Sequence, residues 1–253
     1  MSTATYTAET EMDICTFHSL QFVLSHVQKG QKLLEVGCGS GELALQLEKA
    51  GLLVTAIDKD ENASMRAAAE GITVQEEDFF EYSAEKESFD VILFSRVLHH
   101  MHPLDVALEK VHTLLKPNGI LLLDEFAVEG MDEKSATWFY GLKQVLAEAG
   151  TYSWSLGEQK IKDKFGKESD LEIWKQLHLG MHSVIDSETM RKELAKRFKL
   201  QSDSTVPYLY RYFADRRFRL KDELVPRVYE WECKLIQQQV LKPIGFYWLY
   251  HKA

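Results

Sequence analysis

From Lys32 to Glu125 short apolar runs alternate with amphipathic stretches, and few folds accommodate that order. The runs are Lys32 to Val36, Leu53 to Ile57, Ile72 to Gln75, Asp90 to Phe94 and Gly119 to Glu125. Val91 to Phe94 and Ile120 to Leu123 are continuously apolar, as strands buried on both faces are. Strands separated by helical patterns pair in parallel, with helices on both sides of one sheet. The clearest helix runs from Pro103 to Leu115, with Pro at its start and Lys116-Pro117-Asn118-Gly119 as its basic last turn and stop.

The flanks extend this unit. Glu11 to Val27 carries Ile14, Phe17, Leu20, Val23, Leu24 and Val27 at helical spacing and predicts an N-terminal helix. Glu133 to Ala149 reads as a helix, and Gly150 to His182 is rich in Trp, Lys and Glu without a strand signal. Ser187 to Phe198 reads as a helix capped by Ser187. Two aromatic strands, Thr205 to Phe213 and Ile244 to Tyr250, are separated by a helical stretch from about Arg216 to Leu241 that Pro226 should start afresh or kink. The expected organisation is one domain over residues 1–253. It comprises an N-terminal cap (1–30), a core (31–128), a helical lid insertion (129–182) and a C-terminal part of the sheet (183–253).

A net charge of −9 and a pI near 5.5 argue against nucleic-acid binding, which draws on clustered Lys and Arg. The local cluster Arg211, Arg216, Arg217 and Arg219 is flanked by Asp215, Asp222 and Glu223 and reads as a solvated helix start. Cys15, Cys38 and Cys233 are three, far apart and without a C-x-x-C pair, which fits a reducing compartment. The first residues lack a signal peptide's basic start and apolar core. No apolar run approaches the roughly 20 residues that span a bilayer. A cytoplasmic monomer or homodimer, with no membrane partner, is expected.

Leu33 to Leu43 places a strand, a Gly-rich turn and a helix start in direct succession, with glycines at 37, 39 and 41. Glycine permits positive φ and close approach of a ligand, and the amides of a following helix favour polar or anionic groups. Asp58 ends the second strand about 20 residues on, where an acid can bind ribose hydroxyls in a dinucleotide-type fold. The nicotinamide fingerprint needs G-x-G-x-x-G, and here the third glycine comes one place early.

Glu35 two residues before the first glycine makes the motif E-x-G-x-G-x-G, which resembles the first motif of the class I S-adenosylmethionine-dependent methyltransferases, in their type 11/12-like small-molecule branch. The resemblance covers roughly Gln31 to Phe126. It implies a seven-stranded Rossmann-like α/β sheet of order 3-2-1-4-5-7-6 with the last strand antiparallel. It also implies S-adenosyl-L-methionine held by Glu35, Gly37, Cys38, Gly39 and Gly41, with Asp58 and the adjoining Lys59 at the ribose and Asp78 with Phe79 at the adenine. Ser95 and Arg96 would lie beside the methionine portion. Lys116 to Gly119 is similar to the family's Lys-Pro-Gly-Gly turn, with Asn118 in place of one glycine; Asn tolerates left-handed backbone.

Each of these residues has a plainer reading. Glu35 could cap the turn, Asp58 could be a solvated strand end, and Asp78 lies in an acidic run with Glu76 and Glu77. His99, His100 and His102 invite a metal reading, but they lack further ligands with zinc-like geometry, so no metal is expected. His99 or His100 could be a general base, since an imidazole titrates near neutral pH. Asp124 and Glu125 close the fifth strand at its carboxyl edge, where open α/β sheets bind ligands. Alternation along a strand would send them to opposite faces, and Glu125 could orient a nucleophile or pair with a lid residue.

Aromatic residues of the insertion, including Trp138, Tyr152 and Trp174, would be core or would exclude water above a sulfonium. Tyr6, Phe17 and His18 could close over the cofactor or simply pack. Ser95-Arg96-Val97-Leu98 stands where the nucleic-acid and glutamine-modifying branch has Asn/Asp-Pro-Pro-Tyr/Phe. The expected activity is therefore methyl transfer to an O, N or S atom of a small-molecule acceptor. A protein methyltransferase, a non-catalytic sensor of the cofactor and a nicotinamide-dependent oxidoreductase stay open.

Overall fold

The computed structural model describes residues 6, 12–69, 71–165, 169–214 and 224–252. Its centre is a seven-stranded sheet of order β3-β2-β1-β4-β5-β7-β6. The strands are β1 (Lys32–Val36), β2 (Leu53–Asp58), β3 (Gln75–Glu76), β4 (Phe89–Ser95), β5 (Leu115–Phe126), β6 (Phe198–Val206) and β7 (Gly245–Lys252). The first five run parallel, and β7 is antiparallel to both β5 and β6.

Alternation distributes the apolar strand residues between two cores. Leu34, Ile92, Phe94, Leu121 and Leu123 face helices α4 (Leu104–Leu114) and α8 (Ser187–Leu194), which contribute Ala107, Leu108, Val111, Met190 and Leu194. Leu33, Val91, Leu93 and Leu122 face α1 (Ile14–Leu24) and α2 (Glu42–Lys49), which contribute Leu20, Val23, Leu43 and Leu47. Burial on both faces explains why these strands carry no polar alternation. Helix α3 (Glu61–Ala69) follows β2. Between β5 and β6, α5 (Glu133–Glu148), α6 (Leu156–Phe165) and α7 (Asp170–Lys175) precede α8, and α9 (Val225–Gln237) precedes β7.

Five expectations need correction. Helix α4 ends at Leu114, and Lys116 to Gly119 lie within β5, which begins at Leu115 where it pairs with Phe89, rather than forming the helix's last turn. The third strand shrinks to Gln75–Glu76, paired to β2 through two residues. The N-terminal helix spans only Ile14–Leu24, because the Asp13 carboxylate accepts the Cys15 and Thr16 amides and sets its start. The cap of α8 is Asp186, whose carboxylate accepts the Thr189 amide at 2.7 Å, while Ser187 bonds Glu129.

The sixth strand is the largest departure. It occupies Phe198–Val206, a mostly exposed and polar edge, and Thr205 to Phe213 is not a strand. Beyond Pro207 the chain turns into a 3-10 segment, Leu209–Phe213. Buried Glu232 on α9 holds that segment by accepting the Tyr208, Leu209 and Tyr210 amides at 2.9, 3.0 and 2.8 Å. Aromatic richness here reflects burial under the helices rather than a β ladder. Pro226 does begin a helix, in the first turn of α9. Asp215, Arg216, Arg217, Arg219, Asp222 and Glu223 lie outside the described residues.

Candidate active site

At the end of β1, the Gly37 and Cys38 amides both donate to the Ile57 carbonyl, at 2.8 and 3.1 Å. This turns the chain sharply at the strand edge. Gly37, Gly39 and Gly41 all have positive φ, at 67°, 58° and 75°. A Cβ on Gly37 would sit 2.5 Å from Val97 Cγ2, and one on Gly41 2.8 Å from Ile72 and Val74, whereas one on Gly39 would meet nothing within 4 Å. Packing excludes side chains at the outer two positions, and the middle glycine borders open space.

Two carboxylates flank this turn, Asp58 and Glu35, and a third, Asp78, follows β3. Asp58, at the tip of β2, accepts the Gly39 amide on Oδ2 at 2.8 Å and the Asp60 amide on Oδ1 at 2.9 Å, and Lys59 beside it is exposed. Glu35 is 2% exposed, and its Oε2 has no hydrogen-bond partner among the described residues. Burial pushes its carboxyl up to about 8, with Arg96 pulling it down and Asp58 pushing it further up. The half-buried Cys38 thiol is likewise held neutral by burial, reinforced by Glu35 and Asp58. Asp78 accepts the Phe80 amide at 2.8 Å and so closes the turn after β3. Phe79 is buried, with its ring edge-on to Phe94 at 5.6 Å.

The carboxyl edges of β4 and β5 carry a second set of groups. Asp124 and Glu125 are both fully buried and diverge, as strand alternation requires. Glu125 Oε1 accepts the Leu98 amide and its Oε2 bonds His99 Nδ1, each at 2.6 Å. The His99 ring is buried edge-on to Phe126 at 5.0 Å. Its Nε2 bonds nothing among the described residues. A carboxylate on Nδ1 fixes the ring and its tautomer and leaves Nε2 the basic atom.

His100 packs 4.1 Å from His99. Desolvation, with His99, His182, His102 and Lys59 nearby, pulls its pKa down to about 4, so it is neutral at pH 7. His102 bonds the Ser183 carbonyl at 2.9 Å. The three histidines thus do not converge on one point.

Asp124 turns the other way. Its Oδ2 accepts the Ser19 hydroxyl at 2.5 Å and pairs with Arg211 at 3.2 Å, and Arg211 also donates to the Tyr247 hydroxyl at 3.1 Å. Arg211 is 5% exposed. It is therefore not part of a solvated basic cluster, as its charge pattern implied, but a buried ion pair binding α1, β5, β7 and the 3-10 segment. The missed signal was local: a guanidinium between Tyr210 and Tyr212-Phe213 sits in an apolar run, where an arginine is kept only with a buried partner.

Between these sets stand Ser95 and Arg96. Ser95 Oγ is buried without a partner. Arg96, at φ 61°, donates its amide to the Asp124 carbonyl at 2.7 Å, and its exposed side chain has Arg211, Cys15, Tyr208 and Asp124 as electrostatic neighbours. The residue is accessible yet has these groups around it, just beyond the carboxyl edge of β4.

Distant segments pack beside this edge of the sheet. His18 on α1 bonds the Tyr210 hydroxyl at 2.8 Å, Tyr6 packs edge-on to Phe17 at 5.4 Å, and Tyr208 stacks on Phe126 at 4.7 Å. In the insertion, Trp174 donates to the Val128 carbonyl at 2.9 Å, and His178 bridges the Trp174 carbonyl and the Tyr212 hydroxyl. Buried Lys143 pairs with Glu158 at 2.5 Å beneath the Phe139, Tyr152 and Trp154 rings.

Comparison with known proteins places this arrangement. A family model described as a methyltransferase domain matches residues 9–176. A ubiquinone biosynthesis O-methyltransferase of Rhodopseudomonas palustris (strain HaA2) is 30% identical over 197 residues, covering 71% of this chain and 70% of that protein. A Geobacillus sp. (strain WCH70) protein named as a methyltransferase is 36% identical over 117 residues, 42% of this chain and less than half, 46%, of that protein. The crystal structure of an S-adenosylmethionine-dependent methyltransferase from Mesorhizobium loti superposes with a TM-score of 0.56 at 15% identity, covering 94% of this chain and 98% of that one; it speaks for the fold. No helix among the described residues is long and apolar enough to cross a membrane. With the family match, the strand order and the glycine turn in agreement, the chain belongs to the class I S-adenosylmethionine-dependent methyltransferases.

Proposed function

We propose that this chain transfers a methyl group from S-adenosyl-L-methionine to an oxygen of a small organic acceptor, with His99 receiving the acceptor's proton. The observation that carries the reading is the buried His99–Glu125 pair at 2.6 Å, at the sheet edge that also holds Arg96 and the glycine turn. The O-methyltransferase name of the Rhodopseudomonas relative favours oxygen over nitrogen or sulfur.

The residues present fit the donor. Gly39 leaves the space a cofactor needs. Glu35 Oε2 is a buried acceptor without a partner, suited to a cationic amino group, and Asp58 retains acceptor lone pairs for a ribose diol. Asp78 would take the adenine amino group. Ser95 Oγ, buried and unpartnered, is available to the amino-acid end. When bound, the donor supplies a methyl group activated by a positively charged sulfur.

Alignment and proton removal are the chain's own work. Holding an acceptor oxygen about 3–3.5 Å from the carbon it attacks, and collinear, supplies much of the acceleration. A hydroxyl acceptor must also lose its proton. His99 Nε2 accepts it, and Glu125 holds Nδ1–H and stabilises the imidazolium. The helices α5 to α7 act as a lid that excludes water.

Thermal shift with S-adenosylmethionine, S-adenosylhomocysteine and nicotinamide dinucleotides tests the donor: the first two stabilise the fold and the dinucleotides do not. Transfer of radiolabelled methyl groups into a metabolite extract tests the activity. His99→Ala should lower that transfer by about 10²–10⁴-fold while the S-adenosylhomocysteine shift persists. Full transfer by the variant would remove His99 from the chemistry, and binding with no labelled product in any extract would make the chain a sensor.

A further inference from the structure

We infer that the acceptor is an oxyanion-bearing small molecule, with a carboxylate or phosphate group, anchored by the Arg96 guanidinium beside the donor's place. The inference rests on the methyl-transfer reading above and concerns the other half of the same site. Three observations carry it.

The first is the state of Arg96. It is exposed, and no ion pair or side-chain hydrogen bond of its own is found among the described residues. The carboxylates near it form no ion pair with it, although Asp124 Oδ1 is itself without a partner among the described residues. Asp124 Oδ2 is shared by Arg211 and Ser19, and both oxygens of Glu125 are taken by Leu98 and His99.

The second is the neutrality of the other neighbours. Burial drives the Cys15 thiol up to about 12 and raises the Tyr208 phenol, so neither supplies a negative charge at pH 7. Glu35, pushed up to about 8, is largely protonated there until a cation reaches it. Arg211 is spent on Asp124 in a buried pair, and Glu125 on Leu98 and His99, so the accessible Arg96 guanidinium keeps a positive charge with no carboxylate among the described residues bound to it, which favours an anion.

The third is position. Arg96 follows β4 directly, in left-handed backbone at φ 61°, and its amide is pinned to the Asp124 carbonyl. That fixes the root of the side chain between Glu35 on the donor side and Tyr208 on the aromatic side. The Tyr208 hydroxyl bonds nothing among the described residues and can donate to the same anion. A planar guanidinium gripping a carboxylate or phosphate through two parallel N–H···O bonds sets orientation as well as affinity, which is what presenting an acceptor hydroxyl to His99 requires.

The test uses the full chain saturated with S-adenosylhomocysteine, at constant ionic strength and pH 7. Benzoate, glycolate and phenyl phosphate are each compared by thermal shift with the neutral counterparts benzamide, glycolamide and phenol. At least one of the three acids should stabilise the wild-type protein saturably while its counterpart does not, and carboxylates against phenyl phosphate distinguishes the two oxyanions. Arg96→Gln should weaken the binding by about 10–100-fold, since a charge-assisted bidentate contact contributes a few kcal/mol. Arg96→Lys should restore only part.

Equal response to acids and neutrals, or none to either, overturns the inference and leaves the methyl-transfer reading standing. If Arg96→Gln also abolishes the S-adenosylhomocysteine shift, Arg96 belongs to the donor and the inference fails. If the wild-type protein shows no S-adenosylhomocysteine shift at all, it is the reading beneath that fails first.

Discussion

The donor side and the acceptor side of the proposed site are built by different means. The donor side is made of short-range backbone geometry: three positive-φ glycines within five residues, two amides on one carbonyl, and an aspartate at the tip of the next strand holding the middle glycine. The acceptor side is made of side chains brought together over long separations. Ser19 reaches Asp124 across 105 positions, and Arg211 reaches Ser19 across 192. A cradle of backbone needs only that glycine stay glycine, and tolerates change around it. A constellation of buried ions needs every member, because a charge left alone in the interior costs several kcal/mol.

The sharpest way to break that contrast is at Arg211. Arg211→Met should cost about 3–5 kcal/mol, measured by urea denaturation, because Asp124 loses its ion-pair partner while its Oδ1 already has none. The double variant Arg211→Met with Asp124→Leu should recover much of the loss, as replacing both members of a buried pair by apolar groups often does. If Arg211→Met alone leaves the midpoint unmoved, the acceptor side does not depend on this pair and the contrast fails.

The same contrast explains how much could be read in advance. The β1, β4 and β5 centre of the sheet was legible because double-sided burial writes continuous apolar runs, and the glycine turn because glycines mark positive φ. The fate of Asn118, at φ 63°, followed from residue type alone. The sixth strand was not legible: as an exposed edge, Phe-Lys-Leu-Gln-Ser-Asp-Ser-Thr-Val has no apolar signal, while the aromatic turn beside it imitates a strand. Nor could Glu232 be foreseen as the cap of a segment more than 20 residues away, because an acid in an amphipathic helix ordinarily faces water. The His99–Glu125 partnership was half visible. Both residues drew attention for their chemistry, but only the fold brings them to 2.6 Å.

A milder probe acts on the donor side. Gly37→Ala combines left-handed strain, about 1–2 kcal/mol, with a Cβ placed 2.5 Å from Val97 Cγ2, an overlap costing about 1–3 kcal/mol more. Gly39→Ala carries the strain without the overlap, since nothing lies within 4 Å. Denaturation of the unliganded protein should therefore show Gly37→Ala the less stable by about 1–3 kcal/mol. With S-adenosylhomocysteine the deficit of Gly39→Ala should grow, because its methyl group projects into the space the cofactor needs. Equal destabilisation of the two variants in the free protein would mean that Val97 yields, and that packing does not dictate the turn.

The smallest effect is electrostatic and has a defined sign. Glu35 in the free protein titrates near 8, raised first by burial and then by Asp58, against the pull of Arg96; Cys38 beside it stays neutral. A carboxyl raised above its ordinary value of 4.5 binds a proton more tightly folded than unfolded. Its contribution to the free protein's stability is thus present at low pH and is lost as pH rises from about 4.5 to about 8. Cofactor binding runs the opposite way, because a cationic amino group needs the ionised form. Affinity for S-adenosylhomocysteine should rise by up to about tenfold per pH unit between pH 6 and 8, with uptake of the released proton by buffer visible in calorimetry. His100, already neutral above about 4, adds no slope there. Glu35→Gln should flatten the dependence and bind several-fold more weakly at pH 8. A pH-independent affinity in the wild-type protein would mean that Glu35 stays protonated against the ligand, leaving the glycine turn to hold the donor by backbone alone.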